Sequence, residues 1–329
     1  MQNILIVGSQ GYIGTVLCAE LIKKNINIIG VDNFIYSQKK INFNSNKYSF
    51  LKCDFRNTNK IVKIANTASQ VVVLAGLVGD PITKKYKKLS ENINFKGIKK
   101  LIYALNKTNI KKLIFVSTCS NYGVKNSNKL VREEDVLSPV SLYANQKVKI
   151  ENILIKNKFN FAPVILRFAT AFGVSPRMRF DLTVNEFVRD AIFKKHIEIY
   201  EPKTYRPYCH VKDFSEIIYK VIKTDSKKIS KEVFNCGSNA NNFSKLSIAN
   251  LIKKQLKNIK ITINYAVKDK RNYKVDFTKV QKYLNFTPKY SVNKGIKEII
   301  NYIKINKNYK IFKNYSSNNF GNYKIIKKF

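Results

Sequence analysis

Short apolar runs and longer amphipathic stretches alternate through the first half of the chain. The runs at 4–8 (ILIVG), 27–31 (NIIGV), 48–54 (YSFLKCD), 71–76 (VVVLAG), 112–118 (KLIFVST) and 162–170 (APVILRFAT) each read as a strand. Their apolar positions are consecutive, as a parallel sheet covered by helices on both faces requires. Segments 12–25, 58–68, 93–106 and 142–158 read as helices between them. This βαβ series predicts an α/β fold, a Rossmann-type doubly wound parallel sheet. After about residue 172 the rhythm gives way to longer loops, helices at 183–193 and 213–224, and short strands near 197–200 and 233–236. The expectation is a first domain over 1–172 and a smaller C-terminal lobe over 173–303, some of whose elements can return to the first domain. The last stretch, 304–329, is basic, aromatic and without clean periodicity, and is expected to be a tail.

Composition alters this picture little. The chain of 329 residues is 44% hydrophobic with 12 Gly and 7 Pro, which excludes disordered and collagen-like classes. Its net charge of +40 would ordinarily point to a polyanionic partner. Only eight of the 61 cations are Arg, however, and the Lys residues are spread along the whole chain among abundant Asn and Ile. That distribution reads as a general compositional bias, so no specific nucleic-acid partner is expected. Five cysteines, odd in number and far apart, give neither a disulfide framework nor a zinc site. No run approaches the roughly 18 apolar residues of a membrane span. The run Ile4-Leu5-Ile6-Val7 leads straight into a glycine turn, so it is expected to be a strand and not a signal peptide, and the protein is expected to be cytoplasmic.

The glycine turn is the first chemical signal. Gly8, Gly11 and Gly14 stand between a predicted strand and a predicted helix. Gly8 permits the tight turn, Gly11 lets backbone approach a pyrophosphate, and Gly14 allows close packing of helix on strand, while the helix N-terminus offers amide donors to phosphate. Asp32 closes the second strand, where a carboxylate accepts both ribose hydroxyls of an adenosine and repels a 2′-phosphate, so NAD is expected over NADP. Asp54, after the third strand, is placed to reach the adenine amino group.

The second signal is Tyr143-Ala144-Asn145-Gln146-Lys147, which puts a phenol and an ammonium on one helix face. An ammonium beside a phenol lowers its pKa, so the phenolate takes a proton from a sugar hydroxyl while hydride leaves for a nicotinamide. The partner hydroxyl is expected at Thr118, on the end of the fifth strand.

Together GSQGYIG, Asp32, CDFRN, VSTCSNYG, YANQK, LRFATAFG and RPYCHVKDF resemble, in order, the motifs of the extended short-chain dehydrogenase/reductases, in the NAD-dependent nucleotide-sugar epimerase/dehydratase branch. The resemblance runs from residue 3 to about 290. It implies catalytic roles for Thr118, Tyr143 and Lys147, with Thr118 favoured over Ser117 because it lies four residues before Tyr122. It implies dinucleotide contacts at Gly8, Gly11, Tyr12, Ile13, Gly14, Asp32, Asn33, Asp54, Phe55, Ala75, Gly76, Tyr143 and Lys147. A homodimer built on helices near 93–106 and 142–158 is implied in the same way.

Departures from the family's pattern narrow the chemistry. Where the 4,6-dehydratases carry Asp-Glu after the catalytic hydroxyl, this chain has Cys119-Ser120, so a dehydratase is not expected. Thr170 stands where relatives often have Asn, and Val73 replaces a frequent His. On the substrate side the resemblance implies that Arg206 and Arg271 grip the diphosphate of a nucleotide-diphosphate sugar. Val78, Gly79, Cys119, Ser120, Thr170, Arg177 and Arg179 are further candidate contacts, and His210 is expected to be structural. The leading expectation is a nucleotide-sugar epimerase working through a 4-keto intermediate, in the supply of glycan or surface-polysaccharide precursors. A 4-dehydrogenase or keto-sugar reductase uses the same groups, and a non-catalytic nucleic-acid-binding member of the fold is the rival from another class.

Overall fold

The computed structural model describes residues 3–125, 129–266, 271–306 and 320–325. Seven parallel strands form the main sheet: β1 (Asn3–Val7), β2 (Asn27–Asp32), β3 (Tyr48–Lys52), β4 (Ala68–Val73), β5 (Lys112–Thr118), β6 (Ala162–Phe168) and β7 (Val233–Cys236), in the order β7-β6-β5-β4-β1-β2-β3. The order reverses between β1 and β4, which makes the carboxyl ends of these two strands the topological switch point where doubly wound sheets bind ligands.

Alternation along each strand fixes the two faces. Ile4 and Ile6 enter one buried cluster, and Leu5 and Val7 the other. Helices α1 (Tyr12–Lys23) and α6 (Val211–Lys223) pack together over the first face, with Leu17, Phe214 and Ile217 buried in its cluster. Helices α2 (Thr58–Ala65), α3 (Ile98–Leu105) and α4 (Leu142–Lys156) cover the second, burying Ile61, Leu101 and Ile150. Each such aliphatic side chain contributes about 1.5–3 kcal/mol on burial. One expectation shifts here. The helix expected over 93–106 is π-helical over Glu91–Gly97 and becomes α-helical only at Ile98. The segment 233–236 is an element of the C-terminal half that returns to the first domain, as the edge strand of the main sheet beside β6.

The strand expected over 162–170 stops at Phe168. Thr170–Phe172 then leaves the sheet and pairs in parallel with Tyr205–His210, starting the smaller lobe. A third buried cluster holds that lobe together, drawing Phe180 and Val184 with helices α5 (Thr183–Lys194), α7 (Lys245–Gln255) and α8 (Val292–Ile305) onto Tyr12 and Val16 of α1. The first helix therefore packs against both layers, and the crevice between them opens above its N-terminus. Among the described residues no helix is long and apolar enough to cross a membrane.

Candidate active site

Two adjoining cavities occupy this crevice and share Tyr12, Ile13, Leu74, Val78, Arg179 and Asn322 in their walls. The first follows the carboxyl ends of β1, β2 and β4. Gly8, Gly11, Tyr12, Ile13, Gly14, Asp32, Asn33, Asp54, Phe55, Ala75 and Gly76 all line it. The turn before α1 requires glycine at two places. Gly8 has φ +94°, and a Cβ there would sit 2.7 Å from the Ala75 amide, while a Cβ on Gly14 would meet the Gly8 carbonyl at 2.2 Å. Gly11 occupies the N-cap of α1 without any side-chain cap, which leaves the helix N-terminus open to an anion.

Asp32 enters this cavity already oriented. One of its carboxylate oxygens accepts the Phe34 amide at 2.8 Å and the other the Gln10 amide at 3.1 Å. Burial pushes its pKa up, against those same amides. Asp54 is tied more tightly. Its oxygens accept Arg56 Nε at 3.0 Å, Arg56 Nη2 at 2.8 Å and Asn33 Nδ2 at 3.0 Å. Burial raises this carboxyl, but the Arg56 and Asn33 contacts outweigh it and hold the pKa below the usual carboxylate range. Among the described residues, the buried Gln38 Oε1 and Arg177 Nε of the same wall have no hydrogen-bond partner. A glycine cradle, an uncapped helix N-terminus, a carboxylate at the end of β2 and orphaned polar atoms together fit a dinucleotide.

The second cavity, of about 540 Å³, has the size of a small-molecule site. It gathers Thr118, Ser120, Tyr143, Lys147, Val78, Gly79, Thr170, Arg179, Arg206 and Arg271. Thr118 and Ser117 point to opposite sides of β5, as strand alternation demands. Thr118 faces the cavity, its Oγ1 accepting the Ser120 amide at 3.1 Å. Ser117 also lines this cavity, but its hydroxyl is committed to a short hydrogen bond donated to Glu151 of α4. Ser141 caps α4 through the Ala144 amide, and the next turns present Tyr143 and Lys147 to the cavity. The Lys147 ammonium donates to the Val116 carbonyl at 2.7 Å and lies 5.7 Å from the Tyr143 ring centroid.

The electrostatics of this pair differ from the sequence-based expectation. Burial pushes the Tyr143 phenol up, and Asp80 adds to the shift. Burial also pulls Lys147 down to about 7, with Glu151 opposing it. Burial thus shifts both groups towards their neutral forms in the ligand-free chain, because an ammonium that is itself desolvated gives the phenol little relief.

Two expected substrate contacts, Cys119 and Arg177, stand outside the second cavity. Cys119 reaches neither cavity. The 3₁₀ turn after β5 rotates it into the core, where its thiol is 1% exposed and donates to the Arg167 carbonyl at 3.0 Å. Arg177 lines only the dinucleotide-side cavity, and Arg179 lines both. Arg206 and Arg271 line the second cavity, where Arg271 pairs with Asp80 at 2.6 Å and Arg206 donates to the Arg271 carbonyl. His210 is fully buried between Glu298, at 2.6 Å, and the Tyr290 ring, and it caps α6, a structural role.

Sequence reasoning missed Tyr36, Gln38, Asn322 and Tyr323 in the two walls. The first two sit in a loop without a motif, and the last two belong to the tail. Of that tail the described residues are 304–306 and 320–325.

Residues 4–237 match the model of the NAD dependent epimerase/dehydratase family. The chain is 27% identical over 319 residues to the uncharacterized UDP-glucose epimerase YtcB of Bacillus subtilis, covering 92% of this chain and 98% of that protein. It is 25% identical over 321 residues to a UDP-glucuronate 4-epimerase of Thermodesulfobacterium geofontis, covering 93% and 97%. Among solved structures, the UDP-glucuronic acid 4-epimerase of Bacillus cereus, in complex with UDP-glucuronic acid and NAD, superposes with a TM-score of 0.81 at 25% identity, covering 92% and 99%.

Proposed function

Because this chain belongs to the NAD dependent epimerase/dehydratase family, and is therefore an NAD-dependent enzyme, we propose that it is a nucleotide-sugar epimerase acting through a 4-keto sugar. The observation that carries this reading is the meeting of Thr118, Tyr143 and Lys147 in one cavity that adjoins the dinucleotide cavity. Tyr143 Oη takes the proton from the sugar's C4 hydroxyl, and Thr118 Oγ1 holds that oxygen in line. Lys147, when protonated, favours the phenolate. NAD, when bound, would supply the hydride acceptor and donor. Turning of the keto sugar within the cavity exposes its other face, and Tyr143 then returns the proton as the new alcohol forms.

The neighbouring positions favour epimerisation over water elimination. With Cys119 in the core and Ser120 at the wall, no acid and base follow Thr118 to remove a hydroxyl. Arg206 and Arg271 are the candidate diphosphate ligands, since a guanidinium meets phosphate in a forked geometry that Lys cannot copy. The relatives make UDP-glucose and UDP-glucuronic acid the first sugars to try, and precursor supply for a glycan or surface polysaccharide is the role this reading gives the product. Incubation with a panel of UDP-, GDP-, dTDP- and CDP-sugars tests this. An epimer of unchanged mass without net NADH supports the reading, and stoichiometric NADH turnover replaces it with a 4-dehydrogenase or keto-sugar reductase. The homodimer expected from the resemblance remains part of this proposal, to be tested by the mass of the protein in solution.

A further inference from the structure

The described tail residues 320–325 touch the site directly. The Phe320 carbonyl accepts the Phe180 amide at 2.7 Å, and the two rings lie 6.1 Å apart. Two residues on, Asn322 is 8% exposed and makes three separate attachments. Its amide donates to Asp181 at 3.3 Å, its Nδ2 donates to the Val78 carbonyl at 3.3 Å, and its Oδ1 accepts Arg177 Nη2 at 2.8 Å. The Gly321 carbonyl accepts the same guanidinium at 3.3 Å. The segment thus bridges the loop after β4 and the smaller lobe, across the wall common to both cavities.

Arg177 is what this bridge holds. Its guanidinium is 4% exposed and stacks on Tyr36, 5.3 Å from the ring centroid. It lines the cavity that contains the glycine turn and the open N-terminus of α1. Asp181, the nearby carboxylate, is engaged at both oxygens by Arg179, at 2.9 and 2.6 Å. Arg177's hydrogen bonds run instead to a neutral amide and a carbonyl, and its Nε has no partner among the described residues. Burial, and after it Arg179, push its pKa down to about 10, against the opposing pull of Asp181, Tyr36 and Asp32. The anionic part of a dinucleotide is its diphosphate, and the turn and helix N-terminus that would receive it line the same cavity as Arg177.

We propose that the C-terminal segment Phe320–Tyr323 is a clamp on the bound dinucleotide, in which Asn322 is a positioning residue that holds Arg177 against the diphosphate. The clamp rests on the retained-cofactor reading above, because an epimerase must keep the reduced cofactor until it is reoxidised. It also ties residues 320–323 to a step that sequence motifs assign entirely to the first domain.

The test is the dissociation rate of NAD, measured without any sugar so that its outcome is independent of the epimerase assignment. Asn322→Ala and Asn322→Asp are compared with the full chain by release of bound NAD into cofactor-free buffer, with thermal melting as the check on folding. Loss of one charge-assisted contact is expected to speed release roughly tenfold in Asn322→Ala. Asn322→Asp separates positioning from mere attachment. It offers Arg177 a carboxylate, so the segment stays docked, but it neutralises the cation and repels phosphate. Release faster than in the full chain supports the clamp, and release at the full chain's rate or slower in Asn322→Asp overturns it. A variant pair with unchanged NAD release and a raised KM for the sugar also overturns it, and assigns the segment to the diphosphate of the nucleotide sugar instead.

Discussion

Glu151→Ala removes the carboxylate that binds the two catalytic elements together. Glu151 stands one turn beyond Lys147 on α4 and is 1% exposed. One of its oxygens accepts Arg167 Nε at 3.0 Å and Nη2 at 2.8 Å, and the other accepts Asn121 Nδ2 at 2.7 Å and the Ser117 hydroxyl. Ser117 precedes Thr118 on β5, so a single carboxylate links the strand of Thr118 to the helix of Tyr143 and Lys147. The substitution strands a guanidinium that is itself nearly fully buried. Breaking a buried pair on one side costs about 3–5 kcal/mol, a large share of the roughly 5–15 kcal/mol by which proteins are stable. At about 2 °C per kcal/mol for a chain of this size, the Tm should fall roughly 6–10 °C. The assay is thermal melting of Glu151→Ala, Arg167→Met and the double variant. The double variant should recover much of the loss, since an apolar pair leaves no uncompensated charge. A Tm change under about 2 °C in Glu151→Ala, or a double variant as unstable as the sum of its parts, would refute the reasoning.

Three further outcomes follow from the same geometry. Tyr143→Phe should lower kcat by roughly a hundredfold or more while NAD stays bound, as measured by turnover and by the absorbance of co-purified cofactor. Gly14→Ala should lose bound NAD and stability together, because the new Cβ meets the Gly8 carbonyl at 2.2 Å, and binding titration with a parallel melt reads both. Lys147→Met tests the pH behaviour. The folded value near 7 lies below the unfolded value of about 10.4, so between these pH values the unfolded chain binds the extra proton and stability rises with pH. The lysine's burial therefore weighs most heavily below pH 7, and the variant's gain in Tm over the natural chain should be larger at pH 6 than at pH 9. A gain that is constant with pH would show that the ammonium is not held under strain.

Much of the fold was legible because the strands are apolar at consecutive positions and the glycine turn sits where strand meets helix. Asp32, Tyr143 and Lys147 were legible because their chemistry depends on position along one strand or one helix. Thr118 was preferred to Ser117 on motif spacing alone; both line the cavity, and what distinguishes Ser117 is that its hydroxyl is bound to Glu151. What was not legible depends on three dimensions. No periodicity marks the π-helical stretch Glu91–Gly97, and four residues are too few to reveal that Val233–Cys236 returns to the main sheet. The inward turn of Cys119 follows from a 3₁₀ turn that composition does not announce. The lowering of the phenol was expected from proximity alone, whereas burial outweighs it in the ligand-free chain. Asn322 was invisible for a different reason: a basic, aromatic stretch without pattern reads as a tail until its contacts with Arg177, Asp181 and Val78 are in view.

The most direct measurement of the central claim is product analysis with the cofactor the protein carries. Purified enzyme is incubated with UDP-glucose and UDP-glucuronic acid with no NAD added, and sugar identity, mass and absorbance at 340 nm are followed together. The account predicts a C4 epimer of unchanged mass, many turnovers per enzyme and no accumulation of NADH. A product two hydrogens lighter or heavier, formed once per bound cofactor and renewed only by added NAD or NADH, would contradict it.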